Sequence, residues 1–315
     1  MKKVLISKAI APEGMALLNG KVETAVLPDH SAETAKQMAA DVDGIILRTN
    51  VEITRDIIEA APRLKVISRT GVGVDNIDVE AATQRGILVC NTPGMNAVSV
   101  AEHAVSLLLT LAKALPYFDR EVRQGNWKTR YSYRPVELQG KTLGVIGFGR
   151  IGLYAAKILG TGFDMKVLAY DPYVTSSPYP ELPVTFCELE ALLSQADFVT
   201  VHLPSTPETD GLLSQKRLDL LKESAYLVNT ARGSVVDEKA LFDKLKAGKI
   251  AGAGLDVFEE EPLPVEHPFM QLENVIVSPH AGALTKECVS KVAVQAVQAV
   301  LDVFAGREPK YVYNK

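Results

Sequence analysis

Short apolar runs alternate with helically spaced apolar positions from one end of the chain to the other, the pattern a mostly parallel α/β fold imposes on a sequence. Lys3–Ile6, Val22–Leu27, Gly44–Leu47, Lys65–Ser68 and Ile87–Val89 predict a first group of strands. Ser31–Ala40, with Ser31 as its cap, and Val79–Arg85 predict helices among them. From about Asn96 to Glu121 the spacing predicts one long helix, closed by Gly125. Its stripe Val105, Leu108, Leu109 and Ala112 is more simply a core face than a groove for a partner. Asn126–Glu137 is polar and aromatic, with Trp127, Tyr131 and Tyr133, and predicts a connector or arm. A second series follows, with strands at Thr142–Ile146, Lys166–Tyr170, Phe198–Val201, Ala225–Val228, Ala251–Leu255 and Val275–Val277 and a last helix from about Leu284 to Phe304. There is no internal repeat, so two α/β units divided near residue 97 are expected.

Composition narrows the classes without changing that picture. A length of 315 residues suits two domains. With 47% hydrophobic and 23% charged residues the chain resembles an average globular protein, not a disordered one. Lys plus Arg is 34 and Asp plus Glu is 38, a net charge of −4, and no basic block suggests a nucleic-acid partner. Cys90, Cys187 and Cys288 form neither a CxxC pair nor a zinc spacing, so a reducing compartment and no metal are expected. The apolar run after Lys3 is too short for a signal peptide, and Ala104–Ala112 is too short to span a bilayer. No membrane partner is expected, and the cytoplasm is the expected compartment.

The strongest local signal is Gly147-Phe-Gly149-Arg-Ile-Gly152. Alone a GxGxxG match is weak, but this one follows an apolar strand and opens a helical pattern, as a dinucleotide site demands. Gly147 would make the tight turn, Gly149 admit the pyrophosphate, and Gly152 allow close helix–strand packing, with the helix N–H groups facing the phosphates. Asp171 ends the next strand 19 residues past Gly152, where a carboxylate would bind the ribose 2′-hydroxyl. An acid there repels a 2′-phosphate, so NAD is expected over NADP. The alternative is an ordinary strand-to-helix turn ending in a solvated Asp.

Three more strands of this series end in chemistry: Asn229-Thr-Ala-Arg232-Gly233, Leu255-Asp256 running on to Glu261-Pro262, and Ser278-Pro-His280. Strand carboxyl ends form the ligand crevice of an open α/β sheet. A cation to clamp a substrate carboxylate, an imidazole to move a proton and an acid to orient it are what carbonyl reduction requires. Singly, Arg232 could be a surface ion-pair partner, Glu261 one of three solvated acids and His280 an ordinary loop histidine. Their joint placement behind a dinucleotide motif favours catalysis. His202, at a strand end, has no acid placed to pair with it. His103 suits packing or pocket lining, and His30 and His267 suit solvated loops.

Arg69-Thr-Gly-Val-Gly-Val-Asp-Asn-Ile-Asp78, Asn91-Thr-Pro-Gly-Met-Asn96, Val100-Ala-Glu-His103, the glycine motif, Tyr170-Asp-Pro, Val201-His-Leu-Pro204 and the three strand ends above occur together in one order. In this set the chain resembles the D-isomer-specific 2-hydroxyacid dehydrogenase family over nearly its whole length. The resemblance implies an α/β protein of two doubly wound parallel-sheet domains. A Rossmann NAD domain (98–284) would be inserted into a flavodoxin-like substrate domain (1–97 plus 285–315). It implies Arg232 as the carboxylate clamp, Glu261 as the acid paired with the histidine, since the family's acid directly precedes the proline, and His280 as proton donor and acceptor. Val72, Arg150, Ile151, Leu203, Thr230, Ala231, Gly282 and Ala283 would line the cofactor, and Asp256 would hold the nicotinamide carboxamide. A homodimer with 98–135 as its arm is likewise implied.

The family's core motifs do not separate its substrates. The likeness is strongest to members acting on D-3-phosphoglycerate in serine biosynthesis, for which Arg48, Arg69, Thr70, Gly71, Asn96 and Arg232 would bind substrate. Arg48 and Arg69 would supply the cations for phosphate, although both could equally be surface residues. A glyoxylate/hydroxypyruvate reductase or D-lactate-type dehydrogenase uses the same catalytic set, and an NAD-binding corepressor-like interaction protein is the alternative outside enzymes. The family's larger phosphoglycerate-acting members carry a C-terminal regulatory domain. The sequence ends at Lys315, soon after the last helix, so the short form without that feedback domain is expected.

Overall fold

The computed structural model describes all 315 residues, and the chain divides into two compact units, Met1–Asn96 with Ala283–Lys315 and Ala97–Gly282. The first unit opens with β1 (Lys3–Ile6), α1 (Pro12–Leu18), β2 (Glu23–Val26), α2 (Ala32–Ala39), β3 (Gly44–Leu47), α3 (Arg55–Glu59), β4 (Val66–Arg69), α4 (Val79–Gln84) and β5 (Leu88–Cys90). Its five strands are all parallel, in the order β2-β1-β3-β4-β5. β3 and β4 are buried at every position, as continuous apolar runs are when helices cover both faces of a sheet. Ser31 and Asp78 cap α2 and α4, accepting from the N–H groups of Thr34 and Ala81.

The second unit contains α5 (Ala97–Ala112), α6 (Leu115–Arg123), β6 (Thr142–Ile146), α7 (Arg150–Gly162), β7 (Lys166–Tyr170), β8 (Val184–Phe186), α8 (Leu189–Gln195), β9 (Phe198–Val201), α9 (Gln215–Leu218), β10 (Tyr226–Asn229), α10 (Glu238–Lys246), β11 (Gly252–Leu255) and β12 (Val275–Val277). Its seven strands are parallel in the order β12-β11-β10-β9-β6-β7-β8. The order reverses between β6 and β9, the switch point at which a doubly wound sheet opens its ligand crevice. The last helix, α11 (Lys286–Phe304), belongs to the first unit, where it packs on α1 and across β3 and β4. Both units are thus doubly wound, the first with flavodoxin-type and the second with Rossmann-type strand order.

One expectation needs correction, and one strand was not predicted. The single long helix after Asn96 is two helices, bent by 56° at Lys113-Ala114. Ala114 takes a left-handed φ of 49°, and Pro116 cannot donate to a carbonyl one turn back, so the first helix cannot run through. β8 is a three-residue edge strand whose Val-Thr-Phe is too short to show alternation, and it exists because it pairs with β7. No single helix is long and apolar enough to cross a membrane.

Candidate active site

β6 ends at Ile146 and delivers the glycine turn. Gly147 has a φ of +89°, and a Cβ there would lie 2.9 Å from the carbonyl of His202 at the end of β9. A Cβ on Gly152 would stand 2.1 Å from the carbonyl oxygen of Gly147, so α7 can begin this close to the strand only with glycine. A Cβ on Gly149 would meet no atom within 4 Å, which leaves its backbone approachable from outside. Gly149 gives α7 no side-chain cap, so the helix presents its first N–H groups outward, the arrangement that holds an anion. Arg150 is exposed, Ile151 is half-buried, and Leu203 lies against Gly147.

Asp171 closes β7. One carboxylate oxygen accepts the N–H of Phe148 at 2.8 Å, and the other accepts those of Tyr173 and Val174 at 2.8 and 3.0 Å. It therefore ties the glycine turn to its own turn. A carboxylate offers about four acceptor sites, so capacity for a ribose hydroxyl remains. Ala231, beyond β10, is buried, with its N–H on Asn229 Oδ1 at 3.0 Å. Thr230 Oγ1 and His202 Nδ1, at the ends of β10 and β9, are buried without a hydrogen-bond partner in the protein. Orphaned polar atoms at strand carboxyl ends, together with a backbone cradle that a Cβ would fill, fit a dinucleotide.

Arg232 and Glu261 follow β10 and β11, and Gly233 keeps their loops together, because a Cβ there would lie 1.9 Å from the backbone of Phe258. Arg232 Nη1 donates to the Ala231 carbonyl at 2.6 Å. Glu261 Oε1 accepts the Phe258 N–H at 3.1 Å, which aims Oε2 at His280 Nδ1, 2.8 Å away. Both side chains are about one-third exposed, open enough for a substrate to reach. The expected acid–imidazole pair is therefore formed within one unit.

Asp256, 1% exposed, is committed to the loop that carries His280. Oδ1 accepts the Ser278 hydroxyl at 2.5 Å and the Ala281 N–H at 2.8 Å, and Oδ2 accepts the Gly282 N–H at 2.9 Å. Burial alone would raise its pKa, but these bonds and the imidazole of His103 outweigh burial and hold it below the usual carboxylate range. The family resemblance implies a cofactor role for Asp256 and gives none to Ser278 or Gly233. Both stand inside the motifs, but nothing local shows that one hydroxyl reaches a buried carboxylate or that one glycine meets a distant backbone.

The remaining expected residues belong to the first unit. Arg69, at the end of β4, is buried and donates through Nε to Asn76 Oδ1 at 3.3 Å. Asn76 also donates to the Arg48 carbonyl at 2.9 Å, while the Arg48 guanidinium turns to the carbonyl of Ala9. A Cβ on Gly71 would press on the Arg69 guanidinium at 2.7 Å. Thr70 hydrogen-bonds the Leu47 carbonyl. Val72 is exposed, and Asn96 and Ala283 are half-buried at the two ends of the unit's segments.

Residues 105–282 match the family model described as D-isomer specific 2-hydroxyacid dehydrogenase, NAD binding domain. Among curated proteins, D-3-phosphoglycerate dehydrogenase of Archaeoglobus fulgidus is 40% identical over 99% of this chain, which spans 59% of that relative's length. Glyoxylate reductase of Korarchaeum cryptofilum is 37% identical, with 99% of this chain and 96% of that one covered. Among solved structures, D-lactate dehydrogenase from Aquifex aeolicus, complexed with NAD and lactic acid, superposes with a TM-score of 0.89 at 30% identity, covering 100% of this chain and 99% of that one.

Proposed function

Because the chain belongs to the D-isomer specific 2-hydroxyacid dehydrogenase family, we propose that it is an NAD-dependent enzyme interconverting a D-2-hydroxy acid and its 2-keto acid, with D-3-phosphoglycerate and 3-phosphohydroxypyruvate as the pair in serine biosynthesis. The observation that carries the reading is the His280–Glu261 pair at 2.8 Å, on the loops of the same sheet that forms the glycine turn.

The glycine turn and the start of α7 would hold the pyrophosphate and Asp171 the adenosine ribose. When bound, the nicotinamide ring supplies or accepts the hydride. Arg232 clamps the substrate carboxylate, which fixes the neighbouring carbonyl carbon. His280 faces Glu261 through Nδ1, so Nε2 is the atom that gives a proton to the carbonyl oxygen on reduction and takes it back on oxidation. Glu261 holds the ring in that tautomer and stabilises the imidazolium. General acid–base catalysis contributes about 10²–10⁴-fold, so His280→Ala should lower kcat for keto-acid reduction by at least about a hundredfold. A near-normal kcat in that variant would reject the assignment.

The phosphorylated substrate is favoured by the relatives named D-3-phosphoglycerate dehydrogenase and by the Arg69 guanidinium, which Asn76 Oδ1 holds at the end of β4, whereas the Arg48 guanidinium is turned to the Ala9 carbonyl. The near full-length match to a glyoxylate reductase favours a second reading, reduction of a small unphosphorylated keto acid. Charge-assisted hydrogen bonds contribute about 1.5–3 kcal/mol, or one to two decades in KM. Arg69→Ala should impose that loss on phosphohydroxypyruvate and leave glyoxylate much less affected. Equal losses on both would favour the second reading.

A homodimer is proposed through the face of α6 and the turn after it. α6 buries none of its residues, and Leu115, Val122, Trp127 and Tyr131 stand exposed around it. Leu115 and Val122, seven residues apart, share one face of α6, and an apolar helix face left uncovered suits contact with a second copy.

A further inference from the structure

We infer that His103 is a positioning residue for His280, acting through Ser278 and Asp256; the inference rests on the dehydrogenase reading above. The Ser278 hydroxyl gives its hydrogen to Asp256 Oδ1 at 2.5 Å, so toward His103 its oxygen can only accept. His103 Nε2 lies 2.9 Å from that oxygen and 3.3 Å from Asp256 Oδ1, which makes it an N–H donor shared by the pair. The imidazole projects from α5, ten of whose sixteen residues are buried, and so anchors the pair to a rigid element.

What the pair holds is the backbone on both sides of His280. Asp256 accepts Ala281 and Gly282 N–H groups through its carboxylate, and its own carbonyl accepts the His280 N–H at 2.8 Å. His280 needs this support. Its φ is 51°, in the left-handed region that is unfavourable for a residue with a Cβ and persists only where the surroundings enforce it. The backbone angle sets the direction of the ring, and with it the bond to Glu261 Oε2. Without the His103 donor, Ser278 and Asp256 can rotate, and the loop regains freedom that displaces Nε2 from the carbonyl oxygen. A displacement of about 1 Å can lower a rate about a hundredfold, so a partial loosening should lower it about tenfold. The bonds of His103 go to Ser278 and Asp256, whereas the substrate carboxylate falls to Arg232 in the reading above, so binding of the two substrates should be little changed.

The test is steady-state kinetics of NADH-dependent reduction of the keto acid that the wild type turns over, with His103→Leu, His103→Gln and each change combined with His280→Ala. His103→Leu should lower kcat about tenfold while both KM values stay within about twofold, because positioning acts on the transition state. Glutamine places an amide N–H where the imidazole Nε2–H was, so His103→Gln should stay within about threefold of wild type in kcat. In the His280→Ala background His103→Leu should change nothing further, since no ring remains to be positioned. An unchanged kcat in His103→Leu overturns the inference. So does a raised keto-acid KM with kcat intact, which would make His103 pocket lining, and so does full additivity with His280→Ala. If His280→Ala itself turns over normally, the acid–base reading fails first and takes this inference with it.

Discussion

His280 and His202 both stand at strand carboxyl ends, and their surroundings separate them. His280 is partly exposed and paired with Glu261. His202 shares Nε2 with the Thr200 hydroxyl at 2.9 Å, has no partner for its buried Nδ1, and is pushed down by burial to a pKa of about 3. It is therefore neutral near pH 7 and has no proton to give there. Its folded pKa lies below the ordinary value of 6.5, so its contribution is fully present above pH 6.5 and is lost as pH falls toward 3. The slope is up to about 1.4 kcal/mol per pH unit. His202→Asn should remove this slope from urea-melt stabilities between pH 6 and about 4, and an unchanged slope would show that the ring protonates freely in the fold. Asp171→Ala should lower the preference for NAD over NADP, because a 2′-phosphate no longer meets a carboxylate. It should weaken both cofactors as well, since the Phe148 N–H loses its acceptor. The ratio of kcat/KM values for the two cofactors checks the first effect, and an unchanged ratio would remove Asp171 from the ribose site.

At the scale of elements, the three glycines of one turn make separable predictions. A methyl on Gly152 would collide with the Gly147 carbonyl, whereas one on Gly149 meets no protein atom. Gly152→Ala should lower stability by about 1–3 kcal/mol, the usual effect of overpacking, and lose NADH binding with it. Gly149→Ala should leave the melting temperature nearly unchanged and weaken NADH binding alone, because its Cβ would stand in the open space proposed above for the pyrophosphate. Thermal melts with NADH titration distinguish the two, and a large drop in the melting temperature of Gly149→Ala would contradict this account. The glycine spacing was visible in the sequence; which glycine faces protein and which faces out was not. The same holds for α5 and α6. Their apolar spacing continues through Lys113-Ala114, so periodicity showed one helix, and Pro116 was the only local sign of the break.

At the scale of the molecule, each unit surrounds a parallel sheet with helices on both faces, and in the second unit Arg232, Glu261 and His280 lie on loops beyond strand carboxyl ends. The exposed apolar face of α6 belongs to no core in its unit. Replacing Trp127 and Val122 together by Asp should give a particle of monomer mass by analytical ultracentrifugation, against a dimer for the parent chain. A monomeric parent would reject the proposed dimer.

The sequence by itself determined the α/β class, most strands to within a residue and the spacing of the glycine turn. These follow from local properties: runs buried on both faces must be apolar throughout, and motif spacing is a property of neighbouring residues. Tertiary structure alone decided strand order, the edge strand β8, the neutral state of His202 and the commitment of Asp256 to the His280 loop. Each depends on atoms brought together from far along the chain, as with His103 and Ser278, 175 residues apart and 2.9 Å from each other. Hydrogen-bond partners at that separation leave no periodic trace, because what selects them is the packing of the sheet and not the order of the residues.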